Sequence, residues 1–99
     1  MGAPEKKVED YLVKQITKLG GIAYKFVSPA RRSVPDRLCV LPGFIIFVEC
    51  KTEKGVLSKG QYLELKRLTN LGASTAVVHS KEEIDALMLT IKSHLPTEE

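Results

Sequence analysis

The sequence predicts an α/β fold: a mixed central sheet flanked by helices, with elements in the order α-β-β-β-α-β-α. Three observations carry that reading. Three segments repeat apolar residues at helical spacing, two short apolar runs meet across Pro42-Gly43, and the second of these, Phe44 to Val48, is apolar on both faces, as a strand inside a sheet is. With 99 residues, 43% of them hydrophobic, a single domain over 1–99 is expected.

The elements follow in order. From Glu5 to Leu19, Val8, Leu12, Ile16 and Leu19 form a helical stripe that Gly20-Gly21 stops. Gly21 to Val27 reads as a strand, in which Tyr24 and Phe26 share one face and Lys25 the other, with core packing expected for the aromatics. Ser28 to Ser33 is a loop by its proline and serines. Arg37–Leu41 and Phe44–Glu49 form a β-hairpin, since proline presets its own φ and glycine accepts a positive one. Ser58 and Gln61 match a capping box opening a helix to about Leu71, with Tyr62, Leu65 and Leu68 expected on its buried side. Ser74 to His79 is the last strand. A second capping box, Ser80 with Glu83, then opens a helix whose stripe is Ile84, Leu87, Met88, Ile91 and Leu95 and which stops at Pro96, ahead of an acidic tail to Glu99. His79 and His94 have no partner implied by the sequence.

Composition excludes several classes. No apolar run is long enough to cross a bilayer and the start is polar, so a soluble, cytoplasmic protein is expected. Cys39 and Cys50 lack metal-knuckle or disulfide-scaffold spacing and read as reduced core thiols. The net charge of +3 is unevenly spread: through residue 67 there are 13 Lys and Arg against 7 Asp and Glu, and beyond it 2 against 5. A polyanion such as nucleic acid would account for this, with a solvated mixed-charge surface as the competing reading.

The chemistry gathers between Ser33 and Lys51. Asp36 stands at the mouth of one strand and Glu49 and Lys51 at the end of the next, where strand periodicity puts Glu49 and Lys51 on one face and Cys50 on the other. Two carboxylates on adjacent strands suit a hard divalent cation, magnesium or manganese, held through oxygen. Such a cation polarises a phosphate, and a neighbouring lysine orients the nucleophile or stabilises developing charge. Glu5 and Glu9 share a flank of the first helix, and either could join the site directly or through water; Glu9 is favoured because it lies deeper in the helix. Lys25, Arg31, Arg32 and Arg37, with Lys54 and Lys59, are candidate DNA contacts. There is no Ser/His/Asp set, glycine-rich phosphate loop or Cys/His zinc spacing.

Pro35-Asp36 followed by Glu49-Cys50-Lys51 resembles the PD...(D/E)xK core of the restriction-endonuclease-like nucleases. The run from Glu5-Lys-Lys-Val-Glu9 through Gly20-Gly21, Tyr24 to Pro29, Val34 to Arg37, Phe47 to Lys51 and Leu57-Ser58 to Gln61 is similar to the VRR-NUC family, specifically its stand-alone phage-type members, over about residues 5 to 85. The resemblance implies a restriction-endonuclease-like fold and a magnesium- or manganese-dependent nuclease. Asp36, Glu49 and the Cys50 main-chain carbonyl would be metal ligands and Lys51 the catalytic lysine, joined by a helix glutamate and Gln61. It further implies a homodimer cutting four-way (Holliday) junctions in DNA recombination or repair. A nuclease for flaps, nicks or ends, and a non-catalytic nucleic-acid-binding module, are the rival readings. Ser33 stands where the family commonly has glycine, so a changed loop is expected there.

Overall fold

A computed structural model describes residues 3–97. The elements are α1 (Ala3–Lys18), β1 (Ile22–Lys25), β2 (Arg37–Leu41), β3 (Phe44–Cys50), α2 (Lys59–Asn70), β4 (Ser74–Val78) and α3 (Lys81–Lys92). That is the order expected from the sequence. The last two residues of the acidic tail lie outside the described residues.

The four strands make one mixed sheet in the order β1-β2-β3-β4, antiparallel except for the parallel β3–β4 pair. Gly43, with φ of 71°, closes the β2–β3 hairpin in a conformation that glycine adopts freely. β3, apolar on both faces, is internal to the sheet as predicted. A parallel neighbour needs a crossover, and α2 supplies it between β3 and β4.

The two faces of the sheet differ. Cys39, Leu41, Ile46, Val48, Cys50 and Val78 form one buried cluster with Val8, Leu12 and Ile16 of α1 and Ile84, Met88 and Ile91 of α3. α2 covers part of the other face, its Thr69 hydroxyl 2.9 Å from that of Thr75 on β4. Both cysteines are free and buried, and burial pushes the Cys39 thiol up to about 12. Among the described residues no helix is long and apolar enough to cross a membrane.

Several local expectations are corrected. The register pairs Lys25 with Arg37 and Ala23 with Cys39, so Lys25 shares the helix-covered face while Tyr24 turns outward, 53% exposed. Phe26 packs instead against Phe47, ring centroids 5.5 Å apart. On α2, Tyr62 is 52% exposed and its buried companion to Leu65 is Glu64. The second capping box is half made: Ser80 Oγ accepts from the Glu83 amide, but the Glu83 carboxylate turns to the His79 amide and ring, at 2.8 and 2.9 Å. His94 also has a neighbour, stacked on Phe44 at 5.0 Å, and α3 ends at Lys92, short of Pro96.

Candidate active site

The site forms where α1 and α2 begin and β2 and β3 meet. Asp36 precedes β2, and its Oδ2 accepts a 2.8 Å hydrogen bond from the Cys50 amide. In a strand, the N–H and C=O of one residue point the same way, so the Cys50 carbonyl faces the Asp36 side. Glu49, one residue earlier, projects from the opposite face to Cys50 and is 2% exposed. Gln61 of α2 reaches it: Nε2 donates to Glu49 Oε2 at 3.0 Å, while Oε1 accepts from the Ser58 amide and completes the capping box. Lys51 Nζ lies 3.7 Å from Glu49 Oε2.

From the other side of the sheet, α1 contributes Glu5. Carboxylate oxygens of Glu5, Asp36 and Glu49 all lie within 4.8 Å of one another. Burial first, and then the Asp36 charge, push Glu49 up to about 7 against the pull of Lys51. Asp36 is raised too, chiefly by burial, although the Cys50 amide opposes the shift. Three carboxylates converge, and the raised Glu49 and Asp36 show a site short of positive charge, where an all-oxygen donor set fits magnesium or manganese.

Glu9, favoured from the sequence, goes elsewhere. Its Oε2 accepts from Arg37 Nε at 2.7 Å and lies 3.5 Å from Lys25 Nζ, while Arg37 Nη1 donates to the Ala23 carbonyl at 3.0 Å. Glu5 and Glu9 are about one turn apart on the same flank, about 6 Å along the axis. The strand register decides between them by putting Lys25 and Arg37 opposite Glu9. With Lys6 these residues line a cleft of about 300 Å³ beside the carboxylates.

The basic candidates separate in the same way. Lys25 and Arg37 are paired with Glu9, and Arg31 with Glu64 at 3.3 Å. Arg32, Lys54 and Lys59 are exposed and pair with no carboxylate among the described residues. Sequence reasoning missed the Glu9–Arg37 and Arg31–Glu64 pairs. The one signal available was a glutamate amid the apolar positions of α2. Ser33 takes φ of 65°, the left-handed conformation that suits a glycine.

No family model matches the chain. It is 51% identical over 79 residues, 79% of its own length and 85% of the relative, to a protein of Acyrthosiphon pisum secondary endosymbiont phage 1 named "Putative nuclease p44". A solved structure described as a VRR_NUC domain superposes with a TM-score of 0.83 at 34% identity, covering 87% of this chain and 95% of that one. The chain belongs to the VRR-NUC family. The VRR-NUC fold accounts for the shared element order and mixed four-stranded sheet. The converging Glu5, Asp36 and Glu49 mark the candidate divalent-metal centre on that fold.

Proposed function

We propose that this VRR-NUC protein is a magnesium- or manganese-dependent DNA endonuclease that cuts four-way junctions as a homodimer. The observation that carries the reading is the meeting of Glu5, Asp36 and Glu49 within 4.8 Å, with Lys51 3.7 Å from Glu49. The nuclease name of the phage relative supports it. Asp36, Glu49, Glu5 and the Cys50 carbonyl would hold the cation, which supplies Lewis-acid polarisation of a phosphate and acidification of water.

The residues of this chain do the rest. The Cys50 amide pins Asp36, and Gln61 pins Glu49, so two of the carboxylates are positioned from the backbone outward. Lys51 presents an ammonium where charge develops on the phosphate as water attacks phosphorus, the P–O bond to the leaving sugar oxygen breaks, and that oxygen takes up a proton. The basic bias of residues 1–67, the stretch that carries the site, favours a polyanion such as DNA as the substrate. The small junction-resolving dimers that the family resembles support the junction and dimer readings, since a two-fold pair presents two sites to strands of like polarity.

The test offers the purified protein four-way junctions, flaps and linear duplex, with magnesium, manganese or chelator, beside an Asp36→Ala control. Cleavage of junctions that chelator and the substitution abolish is expected. Cleavage that survives both removes the metal mechanism; flaps cut and junctions ignored removes the junction reading; a strictly monomeric protein by gel filtration removes the dimer.

A further inference from the structure

Glu64 is a carboxylate only 7% exposed, on α2, and the metal chemistry gives it no role. A buried carboxylate is costly unless paired and hydrogen-bonded. Its partner is Arg31, whose Nε lies 3.3 Å from Oε2 and 3.4 Å from Oε1, and whose Nη2 lies 3.4 Å from Oε1. Arg67, one turn along, adds a longer pair at 3.6 Å.

The same loop meets α2 at a second point. Gly60 packs so closely under Ser33 that a Cβ there would stand 2.8 Å from Ser33 Oγ. Ser28 Oγ also accepts from the Arg31 amide at 3.3 Å, closing the loop on itself. Segment 28–33 is thus fastened to the first turns of the helix that carries Gln61 to Glu49. Between the two fastenings lies Arg32, exposed; beside Gly60 lies Lys59, also exposed.

We propose that Glu64 is a positioning residue for DNA: by gripping Arg31 it fixes the 28–33 loop so that Arg32 and Lys59 contact the substrate backbone together. Arg31 is then the fastening rather than a phosphate clamp. The proposal rests on the nuclease reading above. It makes a prediction of opposite sign to simple electrostatics. Glu64→Gln removes a negative charge, which by itself strengthens binding to a polyanion; loss of the fastening weakens it.

The experiment measures hydrogen exchange of residues 28–33, binding of a fluorescently labelled four-way DNA junction in calcium, its cleavage kinetics in manganese, and Mn²⁺ affinity by calorimetry, for the full chain and for Glu64→Gln, Arg32→Ala and the double variant. Expected for Glu64→Gln are faster exchange in 28–33 and a Kd and KM raised roughly 3- to 10-fold, with kcat and Mn²⁺ affinity unchanged. The double variant should bind no more weakly than Arg32→Ala alone. Unchanged exchange, or junction binding as tight as or tighter than that of the parent, overturns the proposal. Exchange needs no DNA, so this result stands apart from the nuclease reading. Arg31→Gln, at a half-exposed position, serves if Glu64→Gln does not fold: faster exchange in the loop supports the fastening and unchanged exchange refutes it.

Discussion

The Asp36 carboxylate accepts a 2.8 Å hydrogen bond from the Cys50 amide, tying the mouth of β2 to the end of β3. The tie sets the distance between the two carboxylates that the sequence places thirteen positions apart. It leaves the second Asp36 oxygen, with Glu49 and Glu5, for a cation.

The first prediction separates the two helix glutamates. Glu5→Gln should weaken Mn²⁺ binding by at least about 10-fold, since loss of even an outer partner of a ligand has that effect. Glu9→Gln should leave Mn²⁺ affinity nearly unchanged but destabilise the fold by about 1–3 kcal/mol, because Arg37 and Lys25 lose the negative charge that both face. Calorimetric Mn²⁺ titration and thermal melts read the two effects. Metal loss in Glu9→Gln as severe as in Glu5→Gln would reverse the assignment.

A second prediction concerns the capping box that also serves the site. Ser58→Ala removes the acceptor for the Gln61 amide and should cost about 1 kcal/mol of stability with metal affinity intact. Gln61→Ala loses the cap contact and the Glu49 bond together, so a similar loss of stability should come with a 10- to 100-fold loss of metal affinity. Equal metal affinities in the two variants would detach Gln61 from the site.

The third prediction is the pH dependence of the metal-free protein. Glu49 sits at about 7 when folded against an ordinary 4.5, so between those values the folded chain holds a proton that the unfolded chain has released. Stability in chelator should therefore fall as pH rises through this window, by on the order of 1–3 kcal/mol, and level off above it. Glu49→Gln should flatten the slope. Denaturant unfolding at pH 5 and pH 8 tests this; a parent stability that rises over that interval contradicts it.

The fourth concerns Ser33, held at φ of 65°. Ser33→Gly relieves that conformation and should stabilise the protein by about 0.5–1 kcal/mol, since a left-handed residue with a Cβ costs more than the added freedom of glycine in the unfolded chain. Nuclease activity should be retained. A lower melting temperature in Ser33→Gly would show that the serine side chain contributes more than its backbone costs.

The sequence alone carried the element order, the internal position of β3, the Ser58–Gln61 capping box and the pairing of Asp36 with Glu49 and Lys51. Each rests on local periodicity or on turn and cap chemistry, which a run of neighbouring residues expresses without reference to the rest of the chain. Tertiary structure decided the matters in which distant segments compete for one charge. Glu9 and Arg37 are separated by 28 positions and Arg31 and Glu64 by 33, so only the strand register and the docking of α2 reveal that these pairs meet. That is why Glu5 rather than Glu9 stands with Asp36 and Glu49, why Tyr24 faces solvent while Lys25 faces α1, and why three of the six basic candidates are already paired with carboxylates. A side chain's alternation is written in its own strand, but what lies opposite it is set by the packing of the whole sheet.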